Sequence, residues 1–250
     1  MHMAETAMNG FELDRAIVSF YEANVGKYPN RQAVLIPVLM ECQKRYGHIT
    51  NQMADAVGNL TRVAPSEVES VISFYTMLLE KPVGKYVIGL CCTWNCEHGG
   101  ASELVRHFEQ KYNCRRGEVA ADGQFTLLSV ECLCDCHNAP SAQILRFGEE
   151  FGAWWANNLT AEVFDRILDD LQAGKPDALR ERLVRIEEKV NPPDDRKWVW
   201  IVTTNNQYPA WIEQAGADIK VHDGLGKLEN VKEENSQLYE EIKAALVKTG

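Results

Sequence analysis

The chain has 250 residues, of which 45% are hydrophobic and 25% charged, and it carries a net charge of −10. That composition excludes disordered, collagen-like and coiled-coil chains, and it supplies enough apolar residues to bury a core without metals or disulfides. The acidic balance argues against a nucleic-acid partner, which calls for clustered Lys and Arg.

The N-terminal stretch before Leu13 carries Glu5 and Glu12 but no Lys or Arg. It fits neither a signal peptide nor a transit peptide, so the sequence leads us to expect a soluble, intracellular protein. From Asp14 to about Glu80 the periodicity predicts helices. Asn30 caps one with Val34, Leu35, Val38, Leu39 and Cys42 on its apolar stripe, and Gly47 ends it. The longest apolar stretch, Ala33 to Met40, is broken by Pro37 and is too short to span a bilayer. Thr50 caps a short helix with Met53, Ala54 and Val57, stopped by Gly58. Ser66 and Glu69 form a capping box for a third helix bearing Val68, Val71, Ile72, Tyr75 and Leu79. Val34, Leu35, Val71 and Phe74 are expected to be buried. Short connections make residues 11–82 a helical bundle.

Pro82 and Gly84 mark a boundary, after which the period changes. Tyr86 to Leu90 reads as a buried strand, Ala101 to Tyr112 as a helix with Leu104, Val105 and Phe108 inward, and Phe125 to Val130 as a second strand after an Asp122-Gly123 turn. Ala142 to Phe147 is a third strand. Thr160 caps a helix with Val163, Phe164, Ile167, Leu168 and Leu171. Strands alternating with helices make residues 83–175 an α/β layer. Residues 176–250 form a small α/β extension. Its expected elements are a strand at Trp198 to Thr203, a short helix at Tyr208 to Ala215, a strand at Ile219 to His222 and a charged helix at Glu229 to Lys248. Pro192-Pro193 reads as a linker that lets this unit reach outward. Trp198, Trp200, Tyr208 and Trp211 suggest that it docks onto a partner.

Eight cysteines are the informative feature: Cys42, Cys91, Cys92, Cys96, Cys114, Cys132, Cys134 and Cys136. Cys91 and Cys96 form C-x4-C, Cys132 and Cys136 form C-x3-C, and each pair follows a predicted strand. Adjacent strand ends can gather four thiolates, which suit an iron–sulfur cluster or zinc; spacing alone leaves both open. A disulfide oxidoreductase is weaker, because C-x-x-C is absent. Cys92 with Cys96 and Cys134 with Cys136 give alternative pairs. Cys42 reads as core, Cys114 as incidental, and His98 and His107 as surface residues. His48 and His137 are lesser ligand candidates, and Trp94 is expected to shield the site, with contact to a partner as the alternative. The Glu run from Glu229 to Glu241 reads as a solvated helix face.

Several motifs, in this order, carry a resemblance. They are Ala33-Val34-Leu35-Ile36-Pro37, Arg45-Tyr46-Gly47-His48-Ile49, Val68 to Tyr75, the C-x4-C pair followed by Gly99-Gly100, and Glu131-Cys132-Leu133-Cys134-Asp135-Cys136-His137-Asn138-Ala139-Pro140. Over residues 14–175, about two thirds of the chain, the sequence resembles the small [2Fe–2S] subunit of the NADH-oxidising module of respiratory complex I. Matching subunits occur in NAD-linked hydrogenases, formate dehydrogenases and electron-bifurcating enzymes. The resemblance implies an N-terminal helical bundle and a thioredoxin-like [2Fe–2S] ferredoxin domain, with Cys91, Cys96, Cys132 and Cys136 holding the cluster. It implies an electron carrier with no catalytic residues of its own. FMN and NADH would be bound by a separate flavoprotein partner, beside other subunits of the peripheral arm, at the cytoplasmic face of the membrane without insertion. No G-x-G-x-x-G follows a strand here, in keeping with a nucleotide site elsewhere.

Two departures stand out. Cys134 lies where the family usually has a small residue such as glycine, and Cys92 adjoins a ligand. Neighbouring strand residues point opposite ways, which favours Cys91 over Cys92. Residues 83–175 hold 8 basic and 13 acidic side chains, net −5, and that field opposes reduction of an anionic cluster, so a low potential is expected. Residues 176–250 lie outside the family pattern.

Overall fold

The computed structural model describes residues 11–148, 151–175, 183–189, 193–203, 206–215, 218–223 and 236–249. Four helices come first. Asp14 caps α1 (Arg15–Asn24), its carboxylate accepting from the Ala16 N–H at 2.8 Å. Asn30 accepts from Ala33 N at 2.9 Å and opens a 3₁₀ turn that runs into α2 (Leu35–Tyr46), which ends at Gly47 with φ 81°. Thr50 caps α3 (Asn51–Thr61). The last of the four is α4 (Pro65–Phe74). Val34, Leu35, Val38, Leu39, Cys42, Val57 and Val68 form one fully buried cluster. Each aliphatic side chain removed from water in this way contributes about 1.5–3 kcal/mol.

The helix ends differ from expectation in three places. Gly58 does not stop α3, which continues to Thr61 and closes on Arg62 in the left-handed conformation, φ 58°. Gly58 serves close approach instead, since a Cβ there would stand 3.1 Å from the Val63 carbonyl oxygen. Ser66 is not the cap of α4; the helix begins at Pro65, whose missing N–H has no partner to lose in a first turn. The helix then ends at Phe74, short of Tyr75 and Leu79. Phe74 is 77% exposed rather than buried, and Val71 is only partly buried.

The following segment contains β1 (Tyr86–Cys91), α5 (Trp94–His98), α6 (Ala101–Tyr112), β2 (Phe125–Val130), β3 (Ala142–Arg146), β4 (Gly152–Ala156) and α7 (Ala161–Gln172). The strands form one sheet in the order β2-β1-β3-β4. β1 is buried along its whole length, as its unbroken apolar run requires. β4 and the five-residue α5 had no sequence signal strong enough to read.

A second four-stranded sheet follows, β5 (Leu183–Glu188), β6 (Lys197–Thr203), β7 (Gln207–Ala215) and β8 (Asp218–Asp223), antiparallel in that order, and then α8 (Ser236–Thr249). β7 corrects the helix expected at Tyr208 to Ala215. Tyr208 and Ala210 are buried while Pro209 and Trp211 are half-buried, the period of a strand. Pro209 is tolerated because pairing with β8 begins only at Ala210. Leu238, Ile242 and Leu246 of α8 close over Val199, Ile201, Tyr208 and Ala210. Residues 229–235 of the expected last helix, and Pro192, lie outside the described residues.

By contacts the chain divides into two compact units, residues 1–87, 122–126 and 145–153, and residues 88–121, 127–144 and 154–250. The cysteine pairs and the second sheet belong to the same unit.

Candidate metal centre

Cys91 ends β1 and is 1% exposed; Cys96 lies on α5 and is also 1% exposed. Cys132 and Cys136 sit on the loop after β2, both exposed to solvent. None of the four thiols is in a disulfide. The Cys132 and Cys136 sulfurs are 3.6 Å apart, close to the ~3.7 Å that two thiolates subtend on one tetrahedral metal at about 2.3 Å. The Cys91 and Cys96 thiols influence one another's titration, and the charge of Cys91 acts on both Cys132 and Cys136. The arrangement is therefore two pairs in one electrostatic neighbourhood. Among the described residues no three metal-capable side chains close on a single ion.

Within each pair one thiol is acidified and its neighbour is not. Burial pushes Cys91 up, but the Thr93 hydroxyl at 3.2 Å and main-chain N–H groups of Thr93 and Leu133 outweigh it and leave the thiol below its ordinary value. Burial, then the bond to Cys91, push Cys96 up to about 11. The Cys134 N–H donates to the Cys132 sulfur at 3.4 Å and, with Cys136, lowers Cys132; the bond to Cys132 raises Cys136. Each pair thus sets a more acidic thiol beside a less acidic one, and metal binding displaces the protons of both.

Backbone geometry explains the loops. Gly99 faces Pro140, where a Cβ would stand 3.0 Å from the proline ring, so a larger residue there would require the ring to give way. Ser141, next in the chain, accepts from the Cys91 N–H through its carbonyl at 3.0 Å and sets its hydroxyl 3.8 Å from the Cys96 sulfur. Thr93 and Ser141 were missed in the sequence. Thr93 precedes a helix and could have been read as a cap; Ser141 is 45 residues from its thiol and gave no signal.

The other candidates separate from the site. The Cys92 sulfur turns to the Leu90 carbonyl at 3.5 Å and the Ser129 hydroxyl at 3.4 Å. Cys134 is exposed with φ 61°. His137 is engaged with Asn138 at 2.9 Å, His48 belongs to the first unit, and burial pushes the Cys42 thiol up to about 12 within the helical core. Trp94 is not a shield: it is 84% exposed.

Two thiol pairs, one on β1 and α5 and the other on the loop after β2, each with one thiol acidified by hydrogen-bond donors, make up a donor set that suits a thiolate-ligated metal. A family model described as thioredoxin-like [2Fe-2S] ferredoxin matches residues 21–172, and the chain belongs to that family. A [2Fe–2S] cluster is accordingly its cofactor, and a donor set of four thiols suits it. The chain is similar to NADH-quinone oxidoreductase subunits of several bacteria. It is 31% identical over 70% of its length to one from Rhizobium meliloti, covering 96% of that protein. It is 36% identical over 50% of its length to one from Thermus thermophilus, covering 70% of it. It is 32% identical over 54% of its length to one from Pseudomonas aeruginosa, covering 81%.

Proposed function

We propose that this chain is the electron-transfer subunit of an NADH:quinone oxidoreductase, its cluster held by Cys91, Cys96, Cys132 and Cys136 and exchanging electrons with FMN in a flavoprotein partner. The observation that carries the reading is the asymmetry of the donor set. Cys91 and Cys96 are buried in framework elements, whereas Cys132 and Cys136 lie on an exposed loop. A site anchored on one side and open on the other suits an electron carrier, which needs a fixed redox centre near a surface where a partner docks. The cluster supplies one-electron chemistry when bound. The protein's own residues hold it, neutralise little of its charge and keep its potential low.

In this reading residues 11–82 are a docking bundle, 83–175 the cluster-bearing thioredoxin-like domain and 176–250 an added extension. Phe74 (77% exposed) and Met77 (56%) in the first unit, and Trp94 (84%) beside Cys96, give apolar area suited to burial against other subunits of a peripheral arm. Among the described residues no helix is long and apolar enough to cross a membrane, and the relatives named as NADH-quinone oxidoreductase subunits support the assembly. The test is affinity purification of the full chain from its own cells under anaerobic conditions. Recovery with an FMN-containing subunit that oxidises NADH supports the proposal. Recovery as a zinc-loaded protein without a flavoprotein refutes it.

A further inference from the structure

The second sheet does not reach outward as a free arm. A run of buried amides ties it to the cysteine loop. Asp135, between Cys134 and Cys136, accepts from Asn138 Nδ2 at 2.9 Å and from Asn157 Nδ2. The next residue, Asn158, donates its main-chain N–H to the Asn138 carbonyl at 2.7 Å. Its side chain faces the opposite way: Nδ2 donates to the Thr203 carbonyl at 2.9 Å, and Oδ1 accepts from Gln207 Nε2 at 3.2 Å. Thr203 and Asn206 close the β6–β7 connection on themselves, with Thr203 N to Asn206 O at 2.8 Å and Asn206 N to Thr203 Oγ1 at 2.9 Å. Asn138, Asn157, Asn158 and Thr203 are each 5% exposed or less.

We propose that Asn158 is a positioning residue through which the C-terminal sheet holds the Cys132–Cys136 loop in the geometry that binds the cluster. Three features of the residue converge on that role. Its φ of 53° is left-handed, a conformation asparagine tolerates better than most residues. That turn aims the main chain at the cysteine loop and the side chain at the sheet. Its amide is matched donor to acceptor on both sides, as a buried polar group must be. The loop's three cysteines are exposed, so a tether to a packed sheet supplies order that burial of those side chains does not.

The inference rests on the cluster assignment above, and the experiment separates the two. Asn158→Gly in the full chain keeps the left-handed φ and the main-chain N–H but removes the link to the sheet; Gln207→Ala removes one half of that link from the other side. Amide hydrogen exchange on the metal-free chain reads the loop directly. We expect residues 132–138 to exchange about fivefold faster or more in both variants, the factor one net hydrogen bond is worth. After loading, iron loss to a chelator should speed up by a similar factor and the reduced-state EPR line should broaden, with helical circular dichroism unchanged. Unchanged loop exchange and unchanged iron release in both variants would overturn the inference while the wild-type spectrum still upholds the cluster. A wild-type chain that takes up no iron would overturn the cluster reading, whatever the exchange data show. If Asn158→Gly does not fold, Gln207→Ala decides alone by the same two rates.

Discussion

Cys134 holds φ 61°, a backbone conformation that costs a side-chain-bearing residue about 1–2 kcal/mol. The same turn points its N–H at the Cys132 sulfur, so the strain is tied to the site. A glycine there would hold the same φ without the Cβ cost. Replacing Cys134 with Gly should leave thermal stability unchanged or slightly raised, where glycine in a regular element costs about 0.5–1 kcal/mol. A loss above about 1 kcal/mol in thermal unfolding would show that the thiol itself holds the loop. Ligand identity is tested by single substitutions. Ala at Cys91, Cys96, Cys132 or Cys136 should abolish the visible cluster absorption, and Ser at Cys92 or Cys134 should preserve it. Loss in Cys134→Ser with retention in Cys136→Ser would reverse the assignment. The cysteine spacing singled out two groups, and the resemblance chose Cys91, Cys96, Cys132 and Cys136 within them. Thr93 and Ser141 were not, because a hydroxyl's contact with a thiol depends on how separate segments meet, which periodicity does not encode.

At the scale of elements, strong amphipathic patterns were readable and weak ones were not. α6, α7 and β1 lie within a residue or two of expectation, each with a clear apolar stripe or run, while α2 begins at Leu35, after the 3₁₀ turn that Asn30 opens. β7 was misread because Tyr208-Pro209-Ala210-Trp211-Ile212 satisfies either period in so short a span, and only pairing with β6 and β8 decides it. The packing of α6 on α7 gives a pH-dependent test. Burial raises Asp165, but hydrogen bonds from His107 at 2.9 Å and Lys111 at 3.0 Å outweigh it and hold the carboxyl below its ordinary value. A carboxylate depressed in the folded state contributes stability that is present above its unfolded value near 3.8 and fades as pH falls below it. The groups are about a third exposed, so the contribution stays under about 1 kcal/mol. Asp165→Asn should melt a few degrees below wild type at about pH 7, and the gap should shrink as pH falls below about 3.8; a gap that does not shrink in acid would remove the ion pair from the account. Gly99→Ala tests the meeting of the two loops. Overlap with the Pro140 ring should cost about 1–3 kcal/mol and speed iron loss, whereas wild-type melting and iron retention would show that the ring can yield.

Over the whole molecule, sequence reasoning located the cluster-bearing segment but misplaced the role of its aromatics. Trp198 and Tyr208 were expected to face a partner; they are 8% exposed and belong to packed structure. Phe74 was expected in the core and lies at the surface. Both errors have one cause: an apolar residue at helical or strand spacing announces burial without saying against what. Phe74→Asp should therefore leave folding of the isolated chain unchanged and reduce recovery of the flavoprotein partner, and undiminished recovery would move the docking surface elsewhere. The central claim is that two pairs of thiols hold one two-iron cluster. It is tested most directly by metal and sulfide analysis with EPR on the full chain purified without oxygen. The account predicts two irons and two inorganic sulfides per chain, a red-brown oxidised protein silent in EPR, and a spin-one-half signal after reduction. One zinc per chain with no colour and no signal would contradict it.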